Sequence, residues 1–383
     1  MSDIPMSTME PGTRPSLPPP VTETGVIGWM RHNLFATWFD ALLTVLALAV
    51  IYLIVPPFVS WAILEATWSY PQEVLDGTRT AQFSDCAANS GACWIFVRAR
   101  LPQFFYGFYP EAERWRVDIV LIMLAVSIYG LLSERVKNKK PVGWFFFAAF
   151  PILAFWLLLG GLGLEPVPTR LWGGFMLTVV ISGVGIVFSL PIGILLALGR
   201  RSKLPVVHTL SVVFIEFARG VPLISILFMA NVLLPLFLPQ GINLDILLRI
   251  LLGVTLFAAA YMAEVVRGGL QALPKGQYEG AMALGLGYWQ MTRFIIMPQA
   301  LRIAIPGIVN NFISLAQDTT LVAIVGLYDF LNIVRAGSRD SKWIGTEMEG
   351  YVFCALIYLI CCFAMSRYSM YLERKLHTGH KKR

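Results

Sequence analysis

Apolar positions along this chain gather into long unbroken runs. They do not alternate as in half-buried strands, and they do not form the one-sided stripes of soluble amphipathic helices. Eight runs, at 38–64, 115–132, 142–164, 171–199, 206–238, 246–273, 301–330 and 350–371, are long enough to cross about 30 Å of hydrocarbon as helices. Closed membrane barrels carry alternating segments of about ten residues, whereas these runs are continuous. The pattern predicts an all-α integral membrane protein with about eight transmembrane helices.

Composition agrees. Of 383 residues, 57% are hydrophobic and 14% are charged, and the mean hydropathy is +0.67. The charged share is about half that of a soluble domain, too little polar surface to cover a soluble core of this size. The net charge of +7 changes the picture only through its placement. Arg135, Lys137, Lys139 and Lys140 follow the second run, and Arg200, Arg201 and Lys203 the fourth. Lys275 and Arg293 flank the loop after the sixth, and Arg374, Lys375, Lys381, Lys382 and Arg383 lie after the eighth. With eight spans all these segments share one side, the cytoplasm by the positive-inside rule, with both termini there as well. The charge is topological, and no nucleic-acid partner is implied. The long 67–114 segment would then be outside. It carries Arg79, Arg98, Arg100 and Arg114, but the rule weakens with loop length.

Residues 1–36 are polar and rich in Pro, Ser and Thr, and read as a disordered cytoplasmic tail, with no basic start leading into a short apolar stretch. A seam at Glu165-Pro166-Val167-Pro168 separates residues 37–165, a three-helix extension with a large outer loop, from a five-helix core at 166–383.

The loop after the sixth run reads Pro274-Lys275-Gly276-Gln277-Tyr278-Glu279-Gly280-Ala281-Met282-Ala283-Leu284-Gly285-Leu286-Gly287. Pro274 ends the preceding helix, and Glu279 is expected in the first turn of a short helix, where its charge complements the dipole. Gly280, Ala281 and Ala283 are small enough for another surface to approach. Gly285 and Gly287 suit a left-handed helix end, and Pro298 can start the next long helix. Such a helix can dock in a partner's groove or lie in the membrane interface.

Glu279-Gly280-Ala281, three residues, Gly285, nine residues, then Ile295-Ile296-Met297-Pro298 resembles the EAA motif of ABC importer permeases, with Gly280 for Ala and Met297 for Leu and every spacing kept. The segments 214–223, 260–269, 317–322 and 372–375 are similar to stretches of the polar amino-acid permeases, so that the resemblance covers most of 170–375. The extension is similar to that of the M-type subunit of general L-amino-acid importers. The resemblance implies a type I ABC importer permease core in the bacterial inner membrane. It implies a pair of ABC ATPase subunits, a second related permease subunit making a heterodimer, and a periplasmic amino-acid-binding protein. Glu279, Gly280, Ala281, Ala283, Leu284, Gly285 and Pro298 would form the ATPase-coupling loop. No Gly-Lys pair occurs in the sequence, so no Walker A loop is present. ATP and Mg would belong to the partner ATPase, with no cofactor on this chain and no catalysis by it.

Charges inside a membrane helix cost at least ~2.5 kcal/mol on insertion scales, so each needs a reason. Asp318 falls near the middle of the seventh run, with Gln317 beside it and Asn310 and Asn311 about two turns earlier. Positions 310, 314, 317, 318 and 321 share a helix face, which could line a substrate path or hydrogen-bond to another helix. Glu264 with Arg267, and Glu216 with Arg219, are spaced to pair within their helices. Gly220–Pro222 breaks the fifth run. His208 is expected at the interface without a special role. Cys354, Cys361 and Cys362 lie in the last apolar run. Cys86 and Cys93 lie outside every run, in the loop placed in the oxidising periplasm, and are expected to form a disulfide. No HExxH or CxxC occurs, and a metal site is not expected. The alternatives are an ABC permease for another small solute such as an opine, or a secondary transporter that needs no ATPase.

Overall fold

The computed structural model describes residues 25–86, 90–239 and 241–376. Apart from one two-residue strand, β1 (Tyr328–Asp329), its elements are helices. Long apolar segments favour this outcome because a helix satisfies its backbone groups internally where water is absent. The helices are α1 (Gly25–Leu34), α2 (Trp38–Val59), α3 (Gln72–Leu75), α4 (Trp94–Tyr106), α5 (Arg114–Leu132), α6 (Lys140–Trp144), α7 (Phe150–Leu159) and α8 (Gly174–Arg200). They continue with α9 (Pro205–Gly220), α10 (Leu223–Phe228), α11 (Ile246–Gln271), α12 (Lys275–Ala283), α13 (Tyr288–Met291), α14 (Met297–Asp318), α15 (Phe330–Ser338) and α16 (Glu347–Leu376).

Contacts divide the chain into two compact units. The first is Met1–Thr67 with Ala87–Ala92. Within it, Thr37 and Asp40 close a capping box at the start of α2, and the Thr44 hydroxyl donates to the Leu34 carbonyl at 2.8 Å. Residues 25–34 of the expected disordered tail form α1, and the rest of that tail, residues 1–24, lies outside the described residues.

The second unit is Trp68–Cys86 with Cys93–Arg383. The sequence seam at 165/166 does not separate units. Across it the Val167 N–H donates to the Leu159 carbonyl at 2.9 Å, and the Phe108 N–H to the Leu171 carbonyl at 3.2 Å. At the centre lies α11, packed on α8, α9 and α14. Gly269 shows how close these backbones run: a Cβ there would sit 2.4 Å from the Ala300 carbonyl oxygen, so no larger residue fits.

Among the described residues seven helices are long and apolar enough to span a membrane. The pair Pro205–Gly220 and Leu223–Phe237, bent by 107°, makes an eighth if it counts as one span. The fifth run is therefore broken at Gly220–Pro222 and not a straight crossing. The seventh begins earlier than expected, spanning Tyr288–Val325. Pro298 is the second residue of α14, as expected, but the span is already under way before it. A π-turn at Thr292–Ile296 carries the chain through, with the Met297 N–H reaching back to the Thr292 carbonyl. Phe145–Ala149 before Pro151 and Met229–Leu233 before Pro235 repeat the device. Proline removes an N–H and crowds the carbonyl four residues back, and a π-turn gives that carbonyl room. Phe330 belongs not to this span but to the separate α15.

At the end of α8 away from Arg200, α4 packs on α15 and α16 through Phe96, Phe104, Phe330 and Trp343. Cys86 and Cys93 form a disulfide with a Cα–Cα distance of 5.5 Å, inside the usual range. The Cys93 N–H donates to the buried Glu349 carboxylate of α16 at 2.9 Å. Asp85 chelates the Arg79 guanidinium, at 3.1 and 2.6 Å, and this hydrogen-bonded pair holds the Asp85 carboxyl below the usual carboxylate range.

Candidate coupling loop and transport cavity

At the Arg200 end of α8, the chain leaves α11, caps α12 with Pro274 and runs nine residues as helix. The termination has a defined cause. The Gly285 N–H donates to the Met282 carbonyl at 2.9 Å and the Leu286 N–H to the Ala281 carbonyl at 3.2 Å, the two bonds of a Schellman motif. Gly285 takes the left-handed conformation this requires, with φ +71°. Gly287 does not. It is extended, at φ −68° and ψ 161°, and caps α13.

Glu279 is the fifth residue of α12, past its first turn, so the expected dipole contact is not made. Its carboxylate is exposed and has no hydrogen bond or ion pair among the described residues. Gly280, Ala283 and Leu284 are also exposed, Leu284 at 76%, and Met282 joins them. Ala281 is buried, 2% exposed, and faces into the chain. Pro298 is exposed. The loop is tied back to the bundle. The Gln299 side-chain amide donates to the Gln277 side-chain oxygen Oε1 at 3.0 Å. Arg201 donates to the Tyr278 hydroxyl at 3.0 Å, with its guanidinium 5.5 Å from the ring centroid.

Behind this loop the expected ion pairs are one larger cluster. Glu264 does accept from Arg267, at 2.9 and 2.6 Å. Glu216 and Arg219 do not pair with each other. Glu216 accepts from Arg200 at 2.8 Å, and Arg219 lies 3.8 Å from Glu264. Arg200, counted in the sequence only as a topological charge, also donates to Glu264 at 2.8 Å. Helices eight, nine and eleven supply these groups, so helix spacing alone could not reveal the cluster. His208 Nδ1 lies 2.7 Å from the Arg200 carbonyl.

A cavity of about 420 Å³ opens between α8, α11 and α14. Ser189, Tyr261, Asn310, Asn311, Ser314 and Asp318 supply its polar lining, with Phe257 and Met262 beside them. Asp318 closes α14 and stands seven positions before Val325, the last residue of the following 3₁₀ segment, well off the middle of Tyr288–Val325. It has no hydrogen bond or ion pair among the described residues. The Asn311 amide nitrogen is buried and unpaired. Gln317 does not join them: its amide lies 3.6 Å from Cys362 of α16. Nor do residues of the broken α9–α10 pair line this cavity. Sequence spacing could not find Ser189 and Tyr261, because they come from other helices.

Residues 189–378 match the model of the family described as binding-protein-dependent transport system inner membrane component. The inner membrane amino-acid ABC transporter permease protein YhdY of Escherichia coli K12 is 49% identical, across 92% of this chain and 93% of its own length. The chain belongs to the amino-acid ABC transporter permeases. This permease is also 42% identical to the glutamate/glutamine/aspartate/asparagine transport system permease protein BztC of Rhodobacter capsulatus, across 95% of this chain and 96% of BztC. The probable glutamine permease protein GlnP of Bacillus subtilis, 34% identical, is covered over 92% of its length but matches only 53% of the permease. The permease is thus a mostly helical, multi-pass inner-membrane transport component, as its apolar runs and its motif residues indicated.

Proposed function

We propose that this permease is the membrane subunit of an importer of polar and general L-amino acids, driven by a separate ATPase pair that docks on residues 275–287. The observation that carries this reading is α12 itself. It is a short helix closed by a Schellman motif, presenting an unpaired Glu279 beside exposed Gly280, Met282, Ala283 and Leu284. An exposed carboxylate among small and apolar side chains suits a partner groove that carries a cation. A second, related permease subunit and a periplasmic amino-acid-binding protein complete the machine. The binding protein meets the face opposite α12, and both termini lie in the cytoplasm. Residues 166–383 form the core shared with shorter relatives, and 37–165 an extension.

The amino acid passes along α14. Asn311 and Asp318 are seven residues apart, ~10.5 Å along the helix. Two hydrogen bonds plus the span of an α-amino acid zwitterion come to roughly the same length. The carboxylate of Asp318 meets the ammonium, and the unpaired Asn311 amide, with exposed Asn310 nearby, meets the carboxylate. Co-purification tests the coupling assignment: the ATPase should elute with the tagged permease, and a cysteine at Ala283 should cross-link to it. Stable import without any associated ATPase would overturn the reading.

A further inference from the structure

The arginine–glutamate cluster lies between the two regions just described and touches both. On one side, Arg201 grips Tyr278 of α12, and the same Arg201 nitrogen lies 3.4 Å from the Leu270 carbonyl of α11. Next to it in sequence, Arg200 donates to Glu216 and Glu264, each at 2.8 Å. On the other side, the Arg219 guanidinium stacks over the Tyr261 ring with 5.6 Å to its centroid, and Tyr261 lines the cavity. Glu264 sits between, 14% exposed, facing three guanidiniums.

The three guanidiniums do not share Glu264 equally. Arg267, one turn along its own helix, takes Oε2 through two short bonds, and Arg200 takes Oε1. Arg219 is left at 3.8 Å, the outer limit of an ion pair. Arg219 is also the last side chain before the Gly220–Pro222 break, where the chain bends by 107°. Arg219 thus stands at the break, 3.8 Å from the Oε2 that Arg267 holds, so that a small rocking of α9 with release of Oε1 by Arg200 would be enough to bring it onto Glu264. A contact with two discrete arrangements is what energetic coupling between sites requires.

We propose that Glu264 is the positioning residue that links ATPase docking to the transport cavity, by exchanging Arg200, on the α12 side, for Arg219, which holds the Tyr261 wall. The proposal rests on the assignment of residues 275–287 to the ATPase. In this structure Glu264 holds Arg200, and the Tyr261 ring packs under the Arg219 cation and against Phe257, 4.9 Å away between centroids. Movement of α12 pulls Arg201, and with it Arg200, away from Glu264. Arg219 then closes on Glu264 and draws Tyr261 with it, reshaping the cavity next to Asp318. No bond is made or broken apart from ion pairs and hydrogen bonds.

The test uses the complete complex, with both permease subunits, the ATPase pair and the binding protein, in proteoliposomes. Uptake of a mixture of labelled proteinogenic L-amino acids and ATP hydrolysis are measured together. Glu264→Gln keeps the shape and removes the charge. Hydrolysis should persist while uptake per ATP falls about tenfold, the effect of losing a hydrogen bond to a charged group. Arg219→Lys keeps the charge but loses the planar stacking on Tyr261, and should lower the same ratio. Tyr278→Phe keeps the ring under Arg201 and removes the hydroxyl, and should lower it less. If Glu264→Gln fails to assemble, the other two variants decide. A cluster that merely glues helices would lower the amount of complex and leave uptake per ATP in the surviving complex unchanged, and that result would overturn the proposal. ATPase co-elution is recorded for every variant. Its loss from the unsubstituted complex would instead refute the docking assignment on which the proposal rests.

Discussion

Substitution of Gly285 separates two ways in which the coupling loop could fail. The residue sits at the first position past α12 in the left-handed region, and a Cβ added there meets nothing within 4 Å. Space is therefore not the constraint, and backbone strain is. A left-handed conformation costs an ordinary side chain ~1–2 kcal/mol, and Asn and Asp less because their side chains bond locally. A cost of ~1.4 kcal/mol shifts an equilibrium tenfold, enough to fray the last turn of a nine-residue helix. If the loop needs only its backbone shape, Gly285→Ala should do more damage than Gly285→Asp or Gly285→Asn. If the surface around Gly285 is docked against another protein, the order reverses. Gly285→Asp then adds a buried charge to an interface and should be worst, Gly285→Asn intermediate and Gly285→Ala mildest. We expect the second order, with Gly285→Asp lowering uptake and ATPase retention at least tenfold while membrane insertion and binding-protein levels stay normal. The assay is amino-acid uptake in cells together with the yield of ATPase on the affinity-purified permease. Normal uptake and full ATPase retention in Gly285→Asp would refute the docking argument, and the opposite order would reduce it to helix stability.

Glu279→Lys should also weaken ATPase retention, through the lost carboxylate and not through the helix dipole, since Glu279 lies past the first turn. An unchanged yield would remove Glu279 from the interface. Asp318→Asn should reduce uptake several-fold or alter the order of preferred amino acids while the complex stays assembled; disassembly would instead make Asp318 a contact between helices. Cys86 and Cys93 should resist alkylation until a reductant is added, and full labelling without one would contradict the disulfide. The Asp85 carboxyl is held low by Arg79, so its contribution to the loop is present above the ordinary carboxylate range and is lost as pH falls through its depressed value. Protection of the 72–85 amides, corrected for the intrinsic pH dependence of exchange, should therefore be high at neutral pH and fall only in acid below that range, and Arg79→Ala should lower it at neutral pH.

Much of this protein could be read from one dimension because a membrane imposes rules along the chain. Twenty apolar residues in a row have one workable conformation in hydrocarbon, so the spans and their number were legible. Fixed offsets among Glu279, Gly285 and Pro298 were legible for the same reason: local motifs are written in consecutive residues, and the left-handed shape of Gly285 follows from them. What no local pattern contains is which helices meet. Glu216 and Arg219 have the spacing of an intrahelical pair, but a closer carboxylate–guanidinium geometry exists across helices, and Arg200 takes Glu216 instead. Gln317 shares a helical wheel with Asp318, yet it turns to α16 because the cavity opens on the side of Asn311 and Ser314. Ala281 is small like Ala283, and only the folded chain decides that one is buried and the other exposed. Pro298 reads as a helix start until the π-turn before it relieves the ring and lets the helix run through. Sequence determined the elements and the chemistry they carry. Tertiary contacts, set by geometry between residues tens of positions apart, decided which charges pair, which face lines the cavity and which side chains remain for a partner.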